Sequence, residues 1–451
     1  MTRFSRHIAT GRAVLLVALI APSLAGCDLL PDWLGAPDNE TPLPGERISI
    51  LTLEEQLEPD PDLANTDVRL PPPYVNRAWP QPGGNAQNEM GHLAGADRLQ
   101  LVWSADAGEG DGRDERILSG PVVADDRVYT IDSEMMVSAF DVRNGSRLWS
   151  VDLELDEESS SALGGGIAYD GGRLYVTTGY GHVLALDGRT GAVIWRSPVG
   201  APFRAAPTVA DGHVFAVAFD NQLFVLSAAD GSVQWSHTGI AETAGLLGAA
   251  NPAVADGVVV APYSSGEVFA FRVEDGRELW SDTLILQGRL GATGQLMDID
   301  ASPVILDGTV YTVSYGGRVL ATDLDSGRRI WNQEIAGQET PWVAGDWLYL
   351  VTIHGEVVCA SRTDGRVRWV HQLPRFEDPE EKSGAIVWAG PVLLGDRLIL
   401  TGSHGVAVAI SPYTGNLLGQ QELPAGGRLP PVIAQGTVYL LTEDADLLAL
   451  R

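Results

Sequence analysis

Two carboxylates with one residue between them, Asp298-Ile299-Asp300, form the pattern in this chain best suited to recognition chemistry. In an extended segment alternate side chains point the same way, so both acids would face one basic group. The competing reading is a turn that caps the entry to the strand beginning near Pro303. A second candidate is Leu246-Leu247-Gly248, set among Gly245 and alanines. Leucines in such a loop mark a binding surface more often than a core. The remaining chemistry-bearing residues read as structural. His182, His354 and His404 each adjoin a glycine at a turn, and neither a His-Glu-x-x-His nor a Gly-x-Ser-x-Gly pattern occurs. Asp141, Asp187 and Asp323 precede turns and read as their caps.

The 451 residues carry a formal charge of -29, which repels phosphate backbones and argues against nucleic acid as a partner. Residues 1–26 differ from the rest. Arg3, Arg6 and Arg12 precede an apolar run, Ala13 to Ala21, too short to span a bilayer, which is the form of an export signal. Leu24-Ala25-Gly26-Cys27 then resembles the bacterial lipobox, so Cys27 is the expected site of lipidation, tying the chain to a membrane surface without a spanning helix. Cys359, the other cysteine, is left without an intramolecular partner and reads as a buried, inert thiol. Residues 27–98 are proline-rich and acidic and read as a tether, with two islands, Arg47 to Leu53 and Trp79 to Leu93, apolar enough to dock on a folded body.

What must position the candidate loops is a repeat. Ala185-Leu186-Asp187-Gly188-Arg189-Thr190-Gly191-Ala192-Val193-Ile194-Trp195 recurs with the same offsets at Ala139 to Trp149, Ala270 to Trp280 and Ala321 to Trp331. Looser copies end at Trp235 and Trp369, and one at Gly419 lacks the indole. Each copy contains four strand-sized pieces, the first two joined by pairs such as Asp125-Asp126 or Asp211-Gly212 that favour tight hairpins. Units begin near Pro121, Gly166, Pro207, Pro252, Pro303, Pro341, Pro391 and Pro431, the spacing of propeller blades. The last unit stops at Arg451 before its fourth strand, and Leu99 to Ser104, which carries Trp103, is a matching fragment. The expectation is an all-β fold over residues 99–451: an eight-bladed β-propeller of four-stranded antiparallel blades, closed by an N-terminal strand that completes the last blade.

The repeat resembles the tryptophan-docking repeat of the pyrroloquinoline-quinone (PQQ) dehydrogenase superfamily. Those enzymes carry a calcium site and a disulfide between adjacent cysteines; this chain has no adjacent cysteine pair and no evident calcium-ligand set, so no cofactor is expected. With the lipobox and the tether, the chain is more similar to the BamB family, lipoproteins of the outer-membrane β-barrel assembly machinery. That resemblance implies a non-enzymatic scaffold on the periplasmic face of the outer membrane. It would be monomeric within its complex, hold the barrel-forming subunit BamA and other subunits, and assist unfolded outer-membrane proteins. The family's Asp-x-Asp matches Asp298 and Asp300; its Leu-Arg-Gly loop matches Leu246 and Gly248, with Leu247 in the arginine's place and Arg289 in the neighbouring loop as a substitute charge. Asp28 beside Cys27 leaves retention in the inner membrane open. A periplasmic PQQ-dependent dehydrogenase and a propeller that binds envelope polymers are the alternatives.

Overall fold

The structure is a computed structural model and describes residues 57–96, 98–113, 115–154, 164–242, 248, 250–284 and 298–451. Residues 1–26, Cys27, Asp28, Leu246, Leu247 and Arg289 lie outside the described residues. Leu57–Arg451 form one compact unit.

Short runs of Val, Ile, Leu, Tyr and Phe make the strands, and acidic turns end them. Asp211, Asp256 and Asp307 have φ of 51°, 50° and 50°, each followed by a glycine at φ 76°, 75° and 70°. Two successive residues at positive φ make the tight turn whose twist matches a hairpin. Eight four-stranded antiparallel sheets result. Blade 1 holds Val122–Ala124, Arg127–Ile131, Met136–Asp141 and Arg147–Asp152; blade 2 holds Gly165–Asp170, Arg173–Thr178, His182–Asp187 and Val193–Pro198. The inner strands of blades 3 to 7 are Thr208–Ala210, Ala253–Ala255, Val304–Leu306, Trp342–Ala344 and Trp388–Leu394. Blade 8 is composite: Val432–Ala434, Thr437–Leu441 and Asp446–Leu450 are completed by Leu101–Asp106, with Leu101 opposite Leu450 and Asp106 opposite Asp446. The eight blades and the closing strand are those read from the repeat. A small hairpin, Phe376–Asp378 with Ser383–Ala385, is inserted between blades 6 and 7.

The recurring tryptophan seals the seams. Trp103, Trp149, Trp195, Trp235, Trp280, Trp331 and Trp369 lie on outer strands, and each indole N–H donates to a carbonyl of the next blade at 2.7 to 3.3 Å. The ring covers a glycine of that blade's last turn: Gly145, Gly191, Gly231, Gly276, Gly327, Gly365 and Gly415, in that order, where an added Cβ would stand 2.5 to 2.7 Å from the indole. Covering each seam buries apolar area worth roughly 2 to 3 kcal/mol. The copy that lacks the indole has a geometric cause. Gly419 stands opposite Ala409 as Trp195 stands opposite Ala185, but blade 8 takes its outer strand from the other end of the chain and has no turn to cover. The indole and its receiving glycine are absent together.

The sequence groups residues 57–98 with the tether, yet from Leu57 this stretch belongs to the propeller's own compact unit. Residues Asn76 to Leu93 form a strap across the exit ends of the inner strands and touch all eight blades in order. Asn76 accepts from Gln435 N–H at 2.7 Å; Trp79 and Val123 exchange two backbone bonds at 2.7 and 2.8 Å; Pro80 accepts from Tyr169 at 2.7 Å. The Gln81 side chain exchanges two bonds with Val209 (2.8 and 3.0 Å). Ala86 and Gln87 accept from Val254 at 2.6 Å and Ile305 at 2.9 Å, Gly91 from the Trp342 indole at 2.8 Å, and Leu93 from Gly395 at 2.7 Å. Inner strands are edge strands whose buried N–H groups need acceptors, and the strap supplies them. Its prolines restrict regular pairing, so it bonds blade by blade rather than as a ninth strand.

Gly231→Ala places a methyl against Trp195 at φ 75° and should lower stability by about 2 kcal/mol or more, whereas Gly419→Ala, whose Cβ would meet nothing within 4 Å, should stay within roughly 0.5 kcal/mol of the parent. Urea denaturation of the two variants checks the pair.

Candidate functional site

Every inner strand is entered from the same face, so the loops preceding the inner strands gather around one mouth of the central channel. Gly248 has φ 132°, and a Cβ there would sit 3.8 Å from the Asp300 carboxylate. Gly248 and Asp298 also border one small cavity together with Phe219. The structure thus brings Gly248, Asp298 and Asp300 together.

The acids do not stand out in solvent. Asp298 is only 4% exposed, and its carbonyl accepts from Tyr315 N–H at 3.0 Å. Both carboxylates act electrostatically on Arg204, whose guanidinium stacks 3.7 Å from the Phe219 ring centre. The basic group the pair addresses is therefore supplied by this chain, at the entry to blade 3. Asp300 lines the central cavity. Burial holds its carboxyl well above the usual range; Asp298 and Glu339 push the same way, and Arg204 opposes them. Its Oδ1 is buried and has no hydrogen-bond partner. Burial also pushes Glu339 up to about 7 despite a bond from Gly390 N–H at 3.3 Å.

Arg204 and Glu339 escaped the reading of the sequence. The signal was in the blade register: Arg204, Asp300 and Arg428 each stand three residues before the proline that opens an inner strand, Pro207, Pro303 and Pro431. One structural position carries charge in three blades.

The other candidates are dispersed. His182 opens the third strand of blade 2, and His354 and His404 sit at turns of blades 6 and 7, with His404 edge-on to Trp388 at 5.1 Å. Asp187 and Asp323 accept the backbone N–H of Thr190 (2.8 Å) and Ser326 (3.0 Å), as turn caps do. Cys359 is fully buried, and burial raises its thiol far from reactivity. Among the described residues no group of three or more His, Cys, Asp or Glu has the arrangement of a metal site.

Comparison with known proteins follows this geometry. The sequence profile described as outer membrane protein assembly factor BamB matches residues 133–371. The outer membrane protein assembly factor BamB of Salmonella typhimurium is 29% identical over 371 residues, covering 77% of this chain and 88% of the relative. That of Yersinia pestis is 28% identical over 363 residues, covering 76% and 88%. The crystal structure of BamB from Moraxella catarrhalis superposes with a TM-score of 0.66 at 20% identity, covering 78% of this chain and all of that one. A europium-containing methanol dehydrogenase shares the fold with a TM-score of 0.64 at 15% identity, covering 81% of this chain and 89% of that one.

The two buried acids give a pH signature. A carboxyl whose folded pKa exceeds its unfolded value stabilises below the unfolded value, and that contribution is lost as pH rises through the folded one. Between about 4.5 and about 7 the burial of Glu339 therefore costs stability progressively. Glu339→Gln should raise the unfolding free energy at about pH 7.5 by on the order of 2 kcal/mol and leave it near the parent at about pH 4.5. Urea titrations at the two pH values check the sign.

Proposed function

Because the chain belongs to the outer membrane protein assembly factor BamB family, we propose that it is a non-enzymatic, lipid-anchored scaffold of the outer-membrane barrel assembly machinery, docking BamA on the entry-loop face of its propeller. The observation that carries the reading is the convergence of Gly248, Asp298 and Asp300, read from separate parts of the sequence, on that face. Leu246, Leu247 and Arg289 join this surface on the strength of the sequence alone. An apolar anchor with charges held in place behind it is the anatomy of an interface, and in this reading the leucines supply the anchor.

The structure changes the part each residue plays in this reading. Asp298 is a buried group that organises the loop with Arg204, so the contact with the partner falls chiefly to the leucines and to the loop geometry that Gly248 allows. Extended substrate would be received at the outer strands. Blade 7's Leu417–Glu422 is exposed along its whole length, the form required for strand addition. Lipidation at Cys27 would hold the scaffold at the periplasmic face of the outer membrane, and unfolded outer-membrane proteins would be its clients.

Recovery of BamA by the tagged chain from solubilised envelopes tests the assignment. Leu246→Ser with Leu247→Ser should reduce recovery about tenfold or more while the melting temperature is retained; undiminished recovery by the folded double variant would sink the docking surface. In the same preparations, PQQ with calcium should give no dye-linked alcohol oxidation.

A further inference from the structure

The strap and the entry loops together leave a blind channel. Its cavity is about 380 Å³ and is lined by Trp79, Pro82 and Gly83 of the strap, by Trp342, and by the charged residues Asp111, Arg116, Asp300, Glu339 and Arg428. The two indoles lie 6.3 Å apart at 20°, and their N–H groups are already given to Pro82 and Gly91 carbonyls, so they offer the cavity apolar surface.

The charges around this cavity are not balanced. Arg116 donates to the Gly112 carbonyl at 2.7 Å and lies 3.6 Å from Asp111; Arg428 is paired with Glu443. Both lining arginines are thus committed to acids other than Asp300 and Glu339. Arg204 acts electrostatically on both Asp298 and Asp300. Asp300 Oδ1 has no donor, and the Glu339 carboxylate accepts from a single backbone N–H, that of Gly390 at 3.3 Å. Buried acceptors without donors are costly unless a ligand satisfies them. An acidic cleft in a chain of charge -29 concentrates cations, and a narrow low-dielectric channel strengthens that field. A metal ion is disfavoured, since among the described residues no third acid, histidine or thiol joins the pair as a ligand. An ammonium group needs only hydrogen-bond acceptors, and an alkyl stem suits the indole floor.

We propose that the blind channel is a binding site for an ammonium group on an apolar stem, its N–H bonds taken by Asp300 and Glu339 and its methylenes lying toward Trp342 and Trp79. The group belongs to a free alkyl diamine or to a lysine side chain; both present the same chemistry.

The test uses the full chain at physiological salt, titrated calorimetrically with cadaverine and, in a second arm, with an acetylated and amidated Gly-Lys-Gly peptide. At least one probe should bind at one site per chain. Glu339→Gln should weaken it about tenfold or more, while Glu380→Gln with Glu381→Gln, which removes two charges from the exposed hairpin turn, should leave it unchanged. Because both channel acids hold protons near neutrality, binding should also release protons, seen as heats that differ between buffers of different ionisation enthalpy. Cadaverine binding alone assigns a free amine, and peptide binding assigns a lysine. Equal binding of both probes by all three proteins, many weak sites, or no binding by a folded parent chain would overturn the proposal. Recovery of BamA by Glu339→Gln keeps the two readings apart: it should match the parent even where amine binding is lost.

Discussion

An indole laid over a glycine is the interaction on which the ring depends. A blade alone is a small twisted sheet with two exposed faces and cannot bury enough apolar surface to be stable. Closing seven seams with the same Trp-on-Gly contact turns eight such sheets into a continuous body. The glycine is required twice over, since the turn needs positive φ at that residue and the indole occupies the space a Cβ would take. The eighth seam departs from the rule for a topological reason. A ring closed by a strand from the distant N-terminal side has one blade without its last turn, and there neither partner of the contact exists.

A body held together at its seams leaves its centre for other uses. Short inner strands expose donors to the channel, and the strap answers them one blade at a time, so one end of the channel is occupied by the chain itself. Charge collects at the open end. Arg204, Asp298, Asp300 and Glu339 come from entry loops of three different blades, and burial together with the neighbouring charges of Asp298 and Glu339 raises the Asp300 carboxyl while Arg204 opposes them. The ring thus separates the contacts that close it from the loops that line its mouth, where the proposed function is placed.

Much of this was legible in the residues. Strand pieces, turn pairs and the broken last unit were enough to number the blades and find the closing strand, because each rests on local rules of period and turn chemistry. Trp79 to Leu93 was visible as an island apolar enough to dock, but its path was not: a proline-containing segment that satisfies donors of separate blades one by one has no periodic signature. The candidate acids were legible as a pair, and both act electrostatically on one base. That the base is Arg204, about 95 residues upstream by number, follows from ring closure and not from spacing. Glu339 gave no motif, since its importance comes from the depth at which the fold places it.

In the proposed function, the face of the propeller that bears the entry loops docks the barrel-forming subunit. A photo-crosslinking amino acid placed at Glu242, beside the loop that leads to Gly248, and in a separate chain at Asp211, on the opposite face, tests it most directly. The account predicts crosslinks to BamA from position 242 and none from position 211; crosslinks from 211 with none from 242 would contradict it.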